Sequence, residues 1–291
     1  MAYIPNIIFA IILIYAILFF NKNIRSIVRN INRGKPIDRS DQPAKRWGNV
    51  FRIALGQSKM VDRPISGILH IIVYVGFVVI NIELIEIVLD GLLGTHRLFA
   101  PYMGSMYNVL IATFEVFAAL VLISVVIFWL RRNAIKIKRF WKPELKGWPK
   151  KDADYILYFE LILMTLFLSM NATDALLQQR NEPHYIQAGL FPVSQFLAPV
   201  FSSLSVATLV MLERTFWWLH ITGILIFLNY LYYSKHLHIL LAFPNTYFQN
   251  LNPLGSFRNN KTVTEEVKLM MDPSADPYAP PAWNVGDKFG A

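Results

Sequence analysis

The chain has no cysteine. It therefore carries no iron–sulfur cluster, thiolate-bound zinc or disulfide of its own, and a redox cofactor here must rely on histidine, methionine or non-covalent binding. Charge is also scarce, at 16% of residues against 55% hydrophobic, and the apolar residues fall in long runs with no short amphipathic period. That pattern excludes a soluble domain and predicts an all-α membrane protein. The formal net charge of +9 does not point to nucleic acid, because the basic residues cluster beside the apolar runs. There they act as topology signals and lipid-headgroup contacts.

Five spans can be drawn, at about residues 4–20, 66–89, 107–130, 155–173 and 209–242. The first has its charges after it and no small-residue cleavage site, so it reads as a retained helix and not a signal peptide. Residues 21–65 hold eleven Lys or Arg against three Asp, and residues 131–151 hold nine more. The opposite connections hold only Arg97 and Arg180. By the positive-inside rule the N-terminus lies outside and the C-terminus in the cytoplasm. The apolar stretch 190–207 is broken by Pro192 and Pro199, and is expected to lie in the interface or fold back over the bundle. Residues 244–291 read as a polar, proline-containing cytoplasmic tail or linker following a transmembrane domain at 1–243.

Three histidines fall inside spans: His70, His220 and His238. Intramembrane ionisable residues are costly and mark functional candidates. His220 and His238 are eighteen residues apart, which at about 100° per residue is five whole turns of one helix. That places both on one face, about 27 Å apart along the axis. His70 lies early in the second span and His238 at the same end of the fifth, so the two imidazoles are positioned to clamp one haem. Gly67 and Gly76 would give a flat macrocycle a smooth approach. Bis-imidazole ligation leaves no open iron position and suits electron transfer. His236, about 160° from His238 on a continuous helix, is the alternative ligand.

His220 has no histidine at its depth in the second span, where Ile80, Asn81, Glu83 and Glu86 stand. A second haem would need His96 or His184 from the connecting loops. Otherwise His220 serves as a hydrogen-bonding group at a quinone headgroup or packs without a ligand. Glu213 lies seven residues before His220 on the same helical face. It is a candidate proton acceptor from quinol, or else an ion-pair partner of Arg214 or Arg180.

The motifs GxLHxxxxxGF around His70 and WWLH…NYLYYSKHLH around His220 to His238 resemble a known family. They are similar to the cytochrome b subunit of respiratory nitrate reductase, and more closely to the membrane domain of bacterial iron–sulfur oxidoreductases related to heterodisulfide reductase. The resemblance covers nearly the whole chain, with one departure: Ile80 stands where the nitrate reductase pattern has a second histidine. It implies one haem b held by His70 and His238, with His220 serving a second haem or a quinone site. It further implies menaquinone or another quinone as redox partner, a cytoplasmic iron–sulfur oxidoreductase domain or subunit, and residence in a bacterial inner membrane. In the iron–sulfur oxidoreductases the segment like DPYAPPAWNVGDKFGA leads into a cysteine-rich domain, which here would be a separate partner or part of a longer product. The expected function is a membrane-anchoring b-type cytochrome that exchanges electrons between quinone and that partner. The alternative is a haem-free anchor or proton-coupled transporter.

Overall fold

A computed structural model describes residues 3–253, 255–256 and 260–274. Among them the chain is all-helical, and five helices are long and apolar enough to cross a membrane. They are built on α1 (Ile4–Ile31), α3 (Pro64–Leu93), α5 (Ser105–Trp129), α6 (Trp148–Gln179) and α8 (Val206–Tyr230), with α2 (Pro43–Asn49) and α4 (Ala100–Met103) as short helices between them. Each of α1, α2, α3 and α6 has proline in its first turn, where the missing N–H loses no hydrogen bond. Ser205 caps α8 by accepting from the Thr208 N–H.

Consecutive long helices run antiparallel. Asn6 at the start of α1 donates to the Gly91 carbonyl near the end of α3 (2.8 Å), and Arg131 after α5 reaches Ser66 at the start of α3 (3.3 Å). At the other end, Asp174 late in α6 meets Arg97 in the loop after α3. The two basic connections predicted from sequence therefore lie at one end of the bundle, called here the basic end. α5 and α6 form the centre, where Phe114, Phe167, Ile111 and Tyr107 are fully buried. The buried residues of α1 are Phe9, Ala16 and Asn23, at seven-residue spacing. Its remaining face of Ile4, Ile7, Ile8, Ile11 and Ile14 is exposed, as suits contact with lipid.

The segment 190–207 folds back over the bundle. A short turn at Ser194–Phe196 and α7 (Ala198–Phe201) carry it across, and the Val193 and Ser194 N–H groups donate to Glu115 at 2.9 and 3.1 Å. Those backbone groups would otherwise be unsatisfied beside an apolar core.

The fifth span differs from the single helix expected over 209–242. α8 ends at Tyr230, a tight turn covers Leu231–Tyr233, and Ser234 is extended (φ −110°, ψ 150°). A second turn, Lys235–Leu237, leads into α9 (His238–Tyr247). The break has two causes. The Ser234 hydroxyl accepts from the His236 N–H at 3.0 Å, the local bond that favours a cap over a helix interior. Asp152 on α6 accepts the Lys235 N–H at 3.2 Å and the Tyr230 hydroxyl at 2.6 Å, holding the interrupted backbone in place.

The compact unit also extends beyond 243, to Phe248. Buried Arg46 donates to the Tyr247 carbonyl at 2.9 Å and Arg39 donates to that of Phe248, so two cations of the first basic segment satisfy the C-terminal end of α9. Residues from Gln249 onward form a separate unit, in which α10 (Lys261–Met271) is the described helix. The DPYAPPAW segment lies outside the described residues.

Candidate functional site

Because the helix breaks at Ser234, the relation of His220 to His238 by whole turns does not exist, nor does the angular argument separating His236 from His238. What remains is proximity at the basic end. The His70 and His238 ring centroids are 6.4 Å apart with planes at 42°, and the His236 and His238 centroids are 5.4 Å apart. A ligating imidazole nitrogen sits about 2 Å from a metal, so two rings clamping one ion have centroids about 6 Å apart. His70 and His238 meet that separation.

The hydrogen bonding of their nitrogens is compatible with ligation. His238 Nδ1 lies 3.1 Å from the Lys235 carbonyl oxygen. A carbonyl only accepts, so this nitrogen carries the proton and Nε2 keeps its lone pair, the arrangement common among metal-bound histidines. His70 Nδ1 is buried without a hydrogen-bond partner. The donor set thus fits haem iron. His236 packs against Phe227, with ring centroids 5.6 Å apart and planes at 58°.

The glycines are placed differently from the expectation of an open face. A Cβ on Gly67 would collide with the Met60 carbonyl oxygen, and one on Gly76 would lie 2.5 Å from Val121 Cγ2. Both positions are filled by protein, so these residues serve close packing of backbone and helix.

His220 is buried deeper, 2% exposed, with Nδ1 at 3.0 Å from the Leu163 carbonyl of α6. It too carries its proton on Nδ1 and leaves Nε2 as acceptor or ligand. It lines a cavity of about 80 Å³ together with Glu83, Asn81, Glu160 and Phe167. His96 does not offer it a free nitrogen: His96 Nδ1 accepts the Ile186 N–H at 3.2 Å and Nε2 donates to Asp174 at 3.1 Å.

Glu213 is 2% exposed and takes the ion-pair arrangement with Arg214, at 2.5 and 2.6 Å, while the Tyr185 hydroxyl donates to it at 2.8 Å. Arg180 is elsewhere, donating to the Leu204 and Ser202 carbonyls.

Sequence reasoning missed the polar network at the end opposite the basic loops. Arg97, 7% exposed, contacts Asp174 at 2.6 and 2.8 Å and Asn171 at 3.1 Å. The Tyr107 hydroxyl donates to Glu86 at 2.7 Å. A lone arginine in an otherwise uncharged loop, with Asp174 on the facing span, was the available signal. Glu83, mid-span in α3, stands thirteen residues after His70 and so about 220° around the helix, on the side opposite to it. That opposite face is also inside the protein, and Glu83 is 3% exposed.

No family model and no solved structure matches the chain. Two curated proteins are similar to it. One is the probable iron–sulfur-binding oxidoreductase FadF of Bacillus subtilis, 24% identical over 270 residues covering 90% of this chain and 35% of that protein. The other is the EtfAB:quinone oxidoreductase of Syntrophomonas wolfei, 26% identical over 224 residues covering 75% of this chain and 30% of that protein. The chain thus spans about a third of the length of these oxidoreductases.

Proposed function

We propose that this chain is the membrane electron-transfer part of an oxidoreductase, passing electrons between a quinone in the bilayer and an iron–sulfur domain or subunit. The observation that carries the reading is the His70–His238 pair, 6.4 Å between ring centroids, with His238 Nδ1 held by a carbonyl. The names of the two similar proteins support the quinone and iron–sulfur ends of the path.

In this reading His70 and His238 hold the iron of one haem b, and haem supplies reversible one-electron transfer at that point. Lys235 fixes the tautomer of His238 through its carbonyl, and Asp152 holds the Lys235 backbone in turn. His236 is the alternative ligand. Gly67 and Gly76 act by letting α3 sit close against its neighbours. His220 serves the quinone headgroup, with Nε2 directed to accept a hydrogen bond. A second haem would need another partner for it, since both His96 ring nitrogens are engaged. Glu213 receives protons from quinol once they reach the cleft at the end opposite the basic loops.

The basic end faces the cytoplasm of a bacterial inner membrane, the N-terminus lies outside, and the partner docks on the basic loops with the tail from Gln249. Menaquinone or another quinone is the membrane substrate. A reduced-minus-oxidised optical spectrum of the purified protein tests this: a b-type alpha band with extractable haem is expected. Its absence would leave the haem-free reading, in which the Glu83, Glu160 and His220 cavity belongs to a proton-coupled transporter.

A further inference from the structure

Five other carboxylates buried in the bundle are anchored through both oxygens. Glu86 accepts from the Phe99 N–H and the Tyr107 hydroxyl, and Glu115 from Asn171 and the Val193 and Ser194 N–H groups. Asp152 is held by Tyr230 and Lys235, Asp174 by Arg97, His96 and Gln178, and Glu213 by Arg214 and Tyr185. Glu83 breaks the pattern. It is 3% exposed, its Oε2 is buried without a partner, and no hydrogen bond among the described residues reaches the group. Buried polar atoms are satisfied in the great majority of cases, so a carboxyl left bare in mid-span calls for a mobile partner such as water or an exchangeable proton.

Its position supplies that partner. Glu83 lines the cavity of about 80 Å³ that holds His220 and Glu160, and it also lines a polar cleft of about 40 Å³ with Glu86, Asp90, Arg97 and Glu213. Besides Glu83, Ile87 alone is common to the two linings. Both spaces exceed the volume of about 10–15 Å³ that one water requires, and each offers several polar groups to hold it.

We propose that Glu83 carries protons between the bundle cavity and the cleft at the end opposite the basic loops. A proton from a donor in the cavity joins one oxygen of the Glu83 carboxylate. The carboxyl then releases it to water in the cleft and returns to its starting state, with no electron passing through it. Neither transfer breaks a fixed hydrogen bond, which distinguishes Glu83 from the five anchored carboxylates. The charged or titratable groups around it are Glu86 and Asp90 on α3, Glu115 on α5, His96 and Arg97 in the loop, Glu160 and Asp174 on α6, and His220, Glu213 and Arg214 on α8. Resting on the function proposed above, the donor is a quinol: its oxidation sends two electrons to the iron–sulfur partner and releases two protons, which Glu83 takes one at a time.

Two measurements on the purified protein in lipid test this. In infrared difference spectra between acid and alkaline pH, a carboxyl carbonyl band that exchanges rapidly in heavy water is expected. It should vanish in Glu83→Gln and persist, displaced, in Glu83→Asp. A band that does not exchange, or one unaltered by Glu83→Gln, overturns the proposal without reference to any quinone. In proteoliposomes supplied with quinol and an electron acceptor, Glu83→Gln should slow turnover and proton release on the cleft side by at least about tenfold. Glu83→Asp should recover much of both, and the haem spectrum should be unchanged in each. Wild-type rates in Glu83→Gln also overturn the proposal. Absence of quinol turnover in the wild type refutes the quinone reading alone and leaves the infrared result to decide on Glu83.

Discussion

His238 donates its Nδ1 proton to the carbonyl of Lys235, three residues earlier, at 3.1 Å. The contact exists because α8 stops at Tyr230 and Ser234 starts a new turn. In an uninterrupted helix the Lys235 carbonyl would accept a backbone N–H four residues on. After the interruption the Lys235 carbonyl accepts the His238 backbone N–H and also the ring Nδ1–H, and the second bond fixes which nitrogen of His238 keeps its lone pair.

This predicts different outcomes for the histidines of the basic end. His70→Ala or His238→Ala should abolish the b-type alpha band, with helical circular dichroism retained. His236→Ala should keep the band, because that ring packs against Phe227 at 5.6 Å. Loss of the band in His236→Ala with retention in His238→Ala would transfer the ligand role to His236.

Ser234 should matter to both stability and cofactor. Its hydroxyl accepts from the His236 N–H at 3.0 Å, and removing such a cap costs about 1 kcal/mol. Ser234→Ala is expected to lower the thermal midpoint in detergent modestly and to change the haem band shape, since the Lys235 carbonyl follows directly. Ser234→Thr, which keeps the hydroxyl, should restore both.

The long spans were legible in the sequence because twenty or so apolar residues admit few alternatives in a bilayer. So was the proximity of His70 to His238 at one end, which needed only span order. Hydropathy carries no information about helix breaks, however, and Tyr230–Leu241 is apolar enough to read as continuous. Ser234 was the local signal, and its effect depends on Asp152, distant in sequence and adjacent in the fold. The Arg97–Asp174 pair and the unpartnered state of Glu83 likewise depend on which helices meet.

Arg97 and Asp174 bind at 2.6 Å, each less than a tenth exposed. Breaking a buried pair from one side leaves an uncompensated charge, at about 3–5 kcal/mol. Asp174→Ala should therefore strongly destabilise the protein, since Arg97 and His96 both lose their acceptor. Arg97→Met combined with Asp174→Leu should unfold at a higher temperature than either single variant. Additive losses in the double variant would show that the pair does not act as a unit.

Gly76 distinguishes packing from a macrocycle slot. An alanine there would place its Cβ 2.5 Å from Val121 Cγ2, and overpacking of this kind costs about 1–3 kcal/mol. Gly76→Ala should lower the thermal midpoint, and adding Val121→Ala should recover most of the loss with haem content unchanged. Haem loss in Gly76→Ala that Val121→Ala does not repair would instead place a macrocycle against this glycine.

His184 gives the pH prediction. It lies in the loop before the fold-back segment, where burial first, then the charges of His96 and Arg214, lowers its pKa below the ordinary 6.5. The folded state therefore binds a proton less readily than the unfolded chain. Below about pH 6.5 the unfolded chain takes up protons that the folded state refuses, so stability contributed above that pH is lost as pH falls toward the lowered folded value. Thermal midpoints measured between about pH 7.5 and 5 should decline on the acid side, at no more than about 1.4 kcal/mol per pH unit for this one site. His184→Gln removes the titrating group and should flatten that decline without altering the midpoint above neutrality by a comparable amount. An unchanged slope in His184→Gln would assign the acid sensitivity to other groups.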